Sequence, residues 1–212
     1  MPIIRQDSDE VRYLCERDWR LSHLISRLGD LEYRRAGSAF EALSHSIVEQ
    51  MLSMKASAGI ESRIRGACGG KISPDAVAAL SVGELRECGI STRKAESLRA
   101  LAEYAGGNDL EQLCGAPEDE IRSELMALPG IGRWTCDMFL LFYAGRPDVL
   151  PVEDGALRQS FEWLYCAPLG DPAVRQVVCS LWRPYSSYAV RYLYRALNKG
   201  LVKQGPPKGV LW

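Results

Sequence analysis

The segment Leu128-Pro129-Gly130-Ile131-Gly132-Arg133-Trp134-Thr135 lies between two helical patterns, at residues 118–127 and 134–143. We expect a tight hairpin here, because Gly130 and Gly132 can take backbone angles closed to other residues and leave room for a ligand to approach the amides. The second helix then begins at the hairpin, with its free N–H groups and the positive end of its dipole facing outward. That arrangement suits a phosphate. A plain helix–turn–helix packing element is the alternative.

Helix signals recur along the rest of the chain, whereas strand signals are scarce. Ser38 and Glu41 have the spacing of a capping box, in which both side chains satisfy free amides at the start of a helix. Ser81 and Glu84 repeat this pattern. Apolar residues at helical spacing extend the first of these helices to Leu52. The sequence therefore predicts an all-α fold of roughly nine to eleven short helices.

The overall composition is that of an ordinary globular domain, with 212 residues, 47% of them hydrophobic and 25% charged. A formal net charge of −1 by itself disfavours a nucleic-acid partner. From residue 172 onward, however, there is no Asp or Glu, and a basic segment of this kind can bind a polyanion. A solvated helix face with an irregular tail over residues 205–212 is the alternative. The basic residues of this segment are Arg175, Arg183, Arg191, Arg195, Lys199, Lys203 and Lys208.

The seven cysteines are widely spaced, with neither a CxxC pair nor a Cys/His pair at metal-binding spacing. Zinc and iron–sulfur sites are therefore not expected. Unpaired, scattered cysteines favour a reducing compartment. No apolar run is long enough to span a membrane, and residues 1–9 lack a secretory pattern. These features together predict a cytoplasmic location.

The hairpin segment resembles the helix-hairpin-helix signature of the HhH-GPD superfamily of DNA repair glycosylases. Three other segments resemble that family in the expected order: residues 47–53 (IVEQMLS), residues 145–154 (GRPDVLPVED) and residues 182–189 (WRPYSSYA). The compact 3-methyladenine DNA glycosylase II (AlkA-like) branch is the most similar. The chain departs from that branch at Ser186, where the family usually has an arginine.

The resemblance implies an all-α, two-lobed fold with the active-site cleft between the lobes. Residues 38–146 would form a central lobe that contains the helix-hairpin-helix, at about residues 118–143. Residues 1–37 and 147–212 would form the second lobe, which carries the catalytic aspartate. The partner implied is double-stranded DNA with a damaged base, bound by a monomer.

The resemblance assigns the catalytic role to Asp154, at the start of a helix over residues 156–164. A carboxylate there would stabilise the oxocarbenium character of the sugar and orient a water during cleavage of the glycosidic bond. An ordinary helix N-cap is the alternative for this residue. Asp148 matches a loop-structuring position. Glu153 either tunes Asp154 or faces solvent.

The resemblance also identifies water, rather than lysine, as the nucleophile. Family members with lyase activity place a lysine just after the GxG turn, where its amine forms a Schiff base. This chain has Trp134 after Gly132-Arg133, and no lysine occurs between Lys94 and Lys199. The expected enzyme is therefore monofunctional, and it lacks the iron–sulfur cluster of the endonuclease III branch.

Trp134 and Tyr194 match the aromatic walls of the family's base pocket, and Met138 stands where the family has a further aromatic residue. Electron-rich rings attract electron-poor alkylated purines by stacking and cation–π contact, while core packing is the alternative for both rings. Gln50 and Met51 occupy the family's wedge position, where an apolar side chain fills the gap left by a flipped base. A buried place in the helix is the alternative for Met51.

The hairpin is expected to bind DNA through phosphate contacts that read no base sequence. Hairpins of this family often hold a monovalent cation, Na+ or K+, through backbone carbonyls, here those of Met126, Leu128 and Ile131. No other cofactor is expected. The predicted DNA-binding residues are Gly130, Ile131, Gly132, Arg133 and Thr135.

The leading hypothesis is a monofunctional DNA glycosylase that removes alkylated purines such as 3-methyladenine and 7-methylguanine in base excision repair. A glycosylase for an oxidised or deaminated base is the alternative within the same class, because Met138 alters the pocket. A non-catalytic protein that binds DNA structures would keep the hairpin but would not need Asp154. A helical interaction module without a DNA role would need neither.

Overall fold

The computed structural model describes residues 2–205. Within that range the chain divides into two compact units. The first unit comprises residues 2–34 and 146–205, and the second comprises Arg35–Gly145.

The all-α prediction is confirmed, but the described residues contain thirteen α-helices rather than nine to eleven. Part of the excess is a short helix that begins at its own cap, Asp109. Another part is the N-terminal region, where Ser8 and Asp18 each cap a helix that is not among those predicted above. The elements in order are β1 (Ile3–Ile4), α1 (Asp9–Arg17), α2 (Trp19–Leu28), β2 (Leu31–Glu32), α3 (Ala39–Glu49), α4 (Met54–Ala67), α5 (Pro74–Ala78), α6 (Val82–Glu87), α7 (Thr92–Gly107), α8 (Leu110–Leu113), α9 (Glu118–Met126), α10 (Arg133–Phe142), α11 (Gly155–Tyr165), α12 (Pro172–Trp182), α13 (Ser186–Asn198) and a 3-10 helix (Leu201–Gln204).

The second unit is built around α3, which packs against α7 and α10. The apolar residues Phe40, Leu43 and Ile47 recur at helical spacing along α3, and all three are buried. The helix predicted to run to Leu52 instead ends at Glu49. This early end separates α3 from α4 and leaves the intervening loop at the surface.

The two predicted capping boxes differ in the structure. The box of Ser81 and Glu84 is complete, with both reciprocal hydrogen bonds formed. At Ser38 the side chain accepts a hydrogen bond from the Glu41 amide, but the Glu41 carboxylate accepts one from the Gly37 amide instead of the Ser38 amide. The box of Ser38 and Glu41 is therefore only half formed, because the Glu41 carboxylate binds the amide of the residue before Ser38.

The first unit packs α13 against α2 and α11. A buried carboxylate, Asp18, caps α2 by accepting hydrogen bonds from its first-turn amides. Its other oxygen accepts hydrogen bonds from the Tyr165 hydroxyl at 2.6 Å and from the Trp182 indole N–H at 2.9 Å. The two short strands pair antiparallel, with Ile4 opposite Leu31.

Two arginines of the basic segment beyond residue 172 are used inside the first unit. Arg191 is buried over the Tyr33 ring, 4.2 Å from its centroid, and burial lowers the pKa of its guanidinium. Arg195 donates a hydrogen bond to the Glu32 carbonyl. The expected polyanion-binding surface is thereby reduced, because these arginines hold the fold together. Lys208 lies outside the described residues.

None of the helices over residues 2–205 is both long enough and apolar enough to cross a membrane.

Candidate active site and nucleic-acid interface

The hairpin between α9 and α10 needs a glycine at one of its two glycine positions. Gly130 has φ +77°, a left-handed angle that favours glycine. A Cβ atom at Gly130 would lie 2.9 Å from the Ser97 Cβ and closer still to its hydroxyl oxygen. Any other residue at position 130 would therefore be disfavoured both by the backbone angle and by overlap with Ser97.

Gly132 is different, and the expectation that its backbone angles are closed to other residues is wrong. It caps α10 with φ −105° and ψ −177°, which other residues adopt freely. A Cβ atom there would meet nothing within 4 Å. Since the fold does not demand a glycine at this position, its lack of a side chain leaves open surface in front of α10.

The start of α10 has the features of an anion site. Gly132 supplies no side-chain cap, and the first turn of α10 contains no acidic residue. By contrast, Ser38 and Ser91 cap α3 and α7 with their hydroxyl groups. Gly132 and Arg133 are both exposed, so solvent reaches the start of α10. The amides and the dipole of α10 can therefore face an anion at this end.

Two of the predicted DNA-binding side chains point into the protein. Ile131 is buried, and its amide donates a hydrogen bond to the Leu128 carbonyl at 3.2 Å. Thr135 is buried, and its hydroxyl oxygen accepts a hydrogen bond from the Gln50 side chain at 3.0 Å. The structure thus leaves no exposed side chain at either position, and any DNA contact of Thr135 would come from its backbone.

An ion pair around a buried carboxylate joins the two helices of the hairpin. The Arg122 guanidinium of α9 lies 2.7 Å from the Asp137 carboxylate of α10 and 2.8 Å from the Glu118 carboxylate. Burial raises the pKa of Asp137, and the Arg122 guanidinium opposes that shift. The buried Asp137 carboxylate thus has a charged partner on α9, and the pair links the two helices of the hairpin.

The loop after α3 presents an apolar tip. Met51 has φ +57° and is fully exposed, so the alternative that places it in the helix core is wrong. Leu52 and Met54 are also exposed. Gln50 is not part of this tip, because its side-chain amide donates hydrogen bonds to the Gly130 carbonyl at 2.9 Å and to Thr135. The two predicted wedge residues therefore have different surroundings within one loop.

The predicted base-pocket residues belong to different units. Trp134 and Met138 lie one turn apart on α10 of the second unit, the first half-buried and the second buried. Tyr194 lies on α13 of the first unit and is half-buried. Their role in binding a base stays a prediction.

In the first unit, Asp154 caps α11. Its Oδ1 atom accepts a hydrogen bond from the Leu157 amide at 2.6 Å, and the side chain is buried. The N-cap alternative is therefore correct as a description of local structure. It leaves catalysis open, because a carboxylate offers about four acceptor positions on two oxygens. The cap bond fixes the rotamer of this side chain.

The loop before Asp154 is fixed by the start of α13. The Ser186 hydroxyl donates a hydrogen bond to Asp148 at 2.5 Å, and the Ser187 hydroxyl donates one to the Arg146 carbonyl at 2.6 Å. The prediction that Asp148 structures the loop is confirmed, and Ser186, the position that departs from the family pattern, is its partner. Glu153 is exposed, in agreement with the alternative in which it faces solvent.

Comparison with known proteins identifies the class to which this fold and these loops belong. Residues 44–184 match the family model of the HhH-GPD superfamily base excision DNA repair proteins. The chain belongs to this superfamily.

Several relatives carry glycosylase names. A crystal structure of a DNA-3-methyladenine glycosidase from Bacillus halodurans is 34% identical with a TM-score of 0.76, over 95% of this chain and 94% of that one. The 3-methyladenine DNA glycosylase Mag1 of Schizosaccharomyces pombe, solved in complex with abasic DNA, is 26% identical with a TM-score of 0.80, over 90% of this chain and 97% of that one. A Bacillus subtilis protein provisionally named a DNA-3-methyladenine glycosylase is 33% identical over 132 residues. That match covers 59% of this chain but only 45% of the relative.

Proposed function

We propose that this protein is a DNA glycosylase of base excision repair that hydrolyses the N-glycosidic bond of alkylated purines such as 3-methyladenine and 7-methylguanine. Membership of the HhH-GPD superfamily and the names of the relatives support the reaction and the substrate class. The observation that carries the proposal most directly is the buried Asp154, held in one rotamer at the start of α11.

Asp154 is the proposed catalytic residue. As the glycosidic bond breaks, positive charge develops on the sugar, and a fixed carboxylate stabilises it more than mobile water does. The same carboxylate can orient a water toward C1′. Water is the nucleophile in this proposal, because α10 contains no lysine whose amine could form a Schiff base. The proposed enzyme therefore has no lyase activity.

The hairpin is the proposed DNA anchor. The uncapped start of α10 would hold a phosphate through backbone amides, next to the exposed Arg133. Met51 is the proposed wedge, since its flexible apolar side chain is fully exposed. Trp134, Met138 and Tyr194 remain the proposed base-pocket residues. Damaged double-stranded DNA is the proposed partner of a monomeric enzyme in the cytoplasm, or at the nucleoid in a prokaryote.

A monovalent cation at the hairpin is part of the proposal. The Leu128 carbonyl accepts the Ile131 amide and keeps a second lone pair for a ligand bond. With the carbonyls of Met126 and Ile131 it would hold Na+ or K+, which supplies positive charge toward a phosphate. No other cofactor is proposed.

A panel of duplexes tests this proposal, each with one defined lesion and otherwise identical sequence. Base release is measured directly, and strand nicking is measured separately without heat or alkali. We expect release of alkylated purines without nicking. Release of only oxidised or deaminated bases would overturn the substrate class, and nicking by the purified protein would overturn the monofunctional mechanism.

A further inference from the structure

Lys94, in the first turn of α7, contacts the end of α3. Its ammonium group donates hydrogen bonds to the Val48 carbonyl at 2.8 Å and to the Gln50 carbonyl at 2.6 Å. The last carbonyls of a helix have no partner within it, and a cation at that end also interacts favourably with the helix dipole. Lys94 is half-buried in doing so, and desolvation lowers the pKa of its ammonium group.

The residue held by Lys94 is also tied to the hairpin. The Gln50 carbonyl accepts a hydrogen bond from Lys94, and the Gln50 side-chain amide donates one to the Gly130 carbonyl at 2.9 Å. Ser97, three residues after Lys94 on α7, lies directly behind Gly130, where a Cβ atom would overlap it. The first turns of α7 therefore contact the loop after α3 and the hairpin at the same time.

The next residue, Met51, has a backbone conformation that needs such support. Its φ of +57° is unfavourable for a residue with a side chain, and conformations of this kind persist when the surrounding structure fixes them. The hydrogen bonds to Val48 and Gln50 fix the backbone just before Met51. The exposed tip is thus presented by a rigid base.

We propose that Lys94 is a positioning residue for base extrusion: by holding Gln50, it keeps the Met51 tip in register with the hairpin that anchors DNA. This inference rests on the proposed function, in which Met51 is the wedge and the hairpin binds phosphate. Lys94 does not act on the substrate, because two backbone carbonyls already engage its amine.

The test compares a paired substrate with one that needs no extrusion. One duplex contains a single 7-methylguanine opposite cytosine beside a 2-aminopurine reporter, and the other carries the same lesion in an unpaired bulge. For Lys94→Met we expect single-turnover release from the paired duplex to fall by about tenfold to a hundredfold, as for other small misplacements. The 2-aminopurine signal of extrusion should fall in parallel. Release from the bulge should stay near the wild-type rate, because extruding an unpaired base costs little free energy.

Three variants keep this test decisive. Lys94→Arg should restore most of the paired-duplex rate, since its guanidinium can still donate to both carbonyls. Lys94→Gln can still donate a hydrogen bond to one of the two carbonyls, and it replaces Lys94→Met if the Lys94→Met protein does not fold. Its release from the paired duplex should again fall more than its release from the bulge, but by a smaller factor. Lys71→Met, at an exposed lysine of the same unit, is the matched control and should behave like wild type.

The outcomes separate the inference from the proposed function. Equal losses on both substrates would assign Lys94 a purely structural role and overturn the inference, as would an unchanged rate on the paired duplex. Failure of the wild-type protein to release the base from either substrate would instead overturn the proposed function.

Discussion

The Gln50 side chain donates a hydrogen bond to the carbonyl of Gly130, which lies 80 residues further along the chain. This bond joins the loop that presents the exposed Met51 to the hairpin that begins α10. Two surface features that look independent in the sequence are therefore parts of one rigid arrangement in the second unit. In the first unit, Asp154 is held instead by a local bond, which its carboxylate accepts from the Leu157 amide.

The two hairpin glycines should respond differently to substitution. Gly132→Ser should keep or raise the melting temperature, because serine is a good N-cap and its side chain meets open space. Its hydroxyl would compete with phosphate for the α10 amides, so affinity for any duplex should fall by about tenfold. Gly130→Ala should lower stability by more than about 1 kcal/mol, given its positive φ and the Ser97 contact.

Thermal melts and fluorescence anisotropy on two duplexes of unrelated sequence check this pair of variants. Loss of affinity on only one duplex would contradict a phosphate anchor, because phosphate contacts do not depend on base sequence. A strongly destabilised Gly132→Ser protein would contradict the open surface in front of α10.

Arg133 is exposed at the start of α10, and its contribution should appear in the salt dependence of binding. The affinity for undamaged duplex should fall with salt, with a log–log slope of about −0.9 per neutralised phosphate. Arg133→Ala should reduce that slope by about one. Titrations across a range of KCl concentrations measure it, with Arg175→Ala, on α12, as a comparison. An unchanged slope would place Arg133 off the DNA and leave the amides as the anchor.

His45 and Glu61 should make the stability of the second unit depend on pH. Their side chains lie 2.7 Å apart, and this hydrogen bond raises the pKa of His45 and lowers the pKa of Glu61. The His45 contribution is complete below its unfolded value of about 6.5 and is lost as pH rises through the higher folded value. The Glu61 contribution is present above its unfolded value and is lost as pH falls through the lower folded one.

Urea denaturation of the wild type and of His45→Gln between pH 4 and 9 measures this dependence. The wild type should be the more stable at pH 6, and the difference should shrink toward pH 9. His23→Gln, the same substitution at an exposed histidine, is the control. A His45 difference that grows toward pH 9 would contradict the pairing.

Local signals in the sequence predicted much of the fold. The hairpin and the complete Ser81 capping box each depend on residues within a few positions of one another, so spacing alone identifies them, whereas Asp154 was singled out by the family resemblance. The surroundings of the end of α3 could not be predicted that way, because the Gln50 carbonyl accepts a hydrogen bond from Lys94, 44 residues further along the chain. The contacts of Arg191 and Arg195 could not be predicted for the same reason, since both side chains contact residues at the other end of the chain.

The central claim is that Asp154 supplies the charge that stabilises the sugar cation, and Asp154→Asn tests it most directly. Asparagine can keep the cap of α11 but not the charge, so folding and duplex affinity should persist. Asp148→Asn is the matched control at the loop-structuring carboxylate, and it should lower stability with release retained.

The decisive measurement is the single-turnover release of 7-methylguanine by Asp154→Asn, with duplex affinity recorded on the same preparation. We predict a loss of about 3–4 kcal/mol or more in transition-state stabilisation, which is at least about a hundredfold in rate, with affinity unchanged. Release at nearly the wild-type rate by a folded, DNA-binding Asp154→Asn protein would contradict the assignment of the catalytic carboxylate.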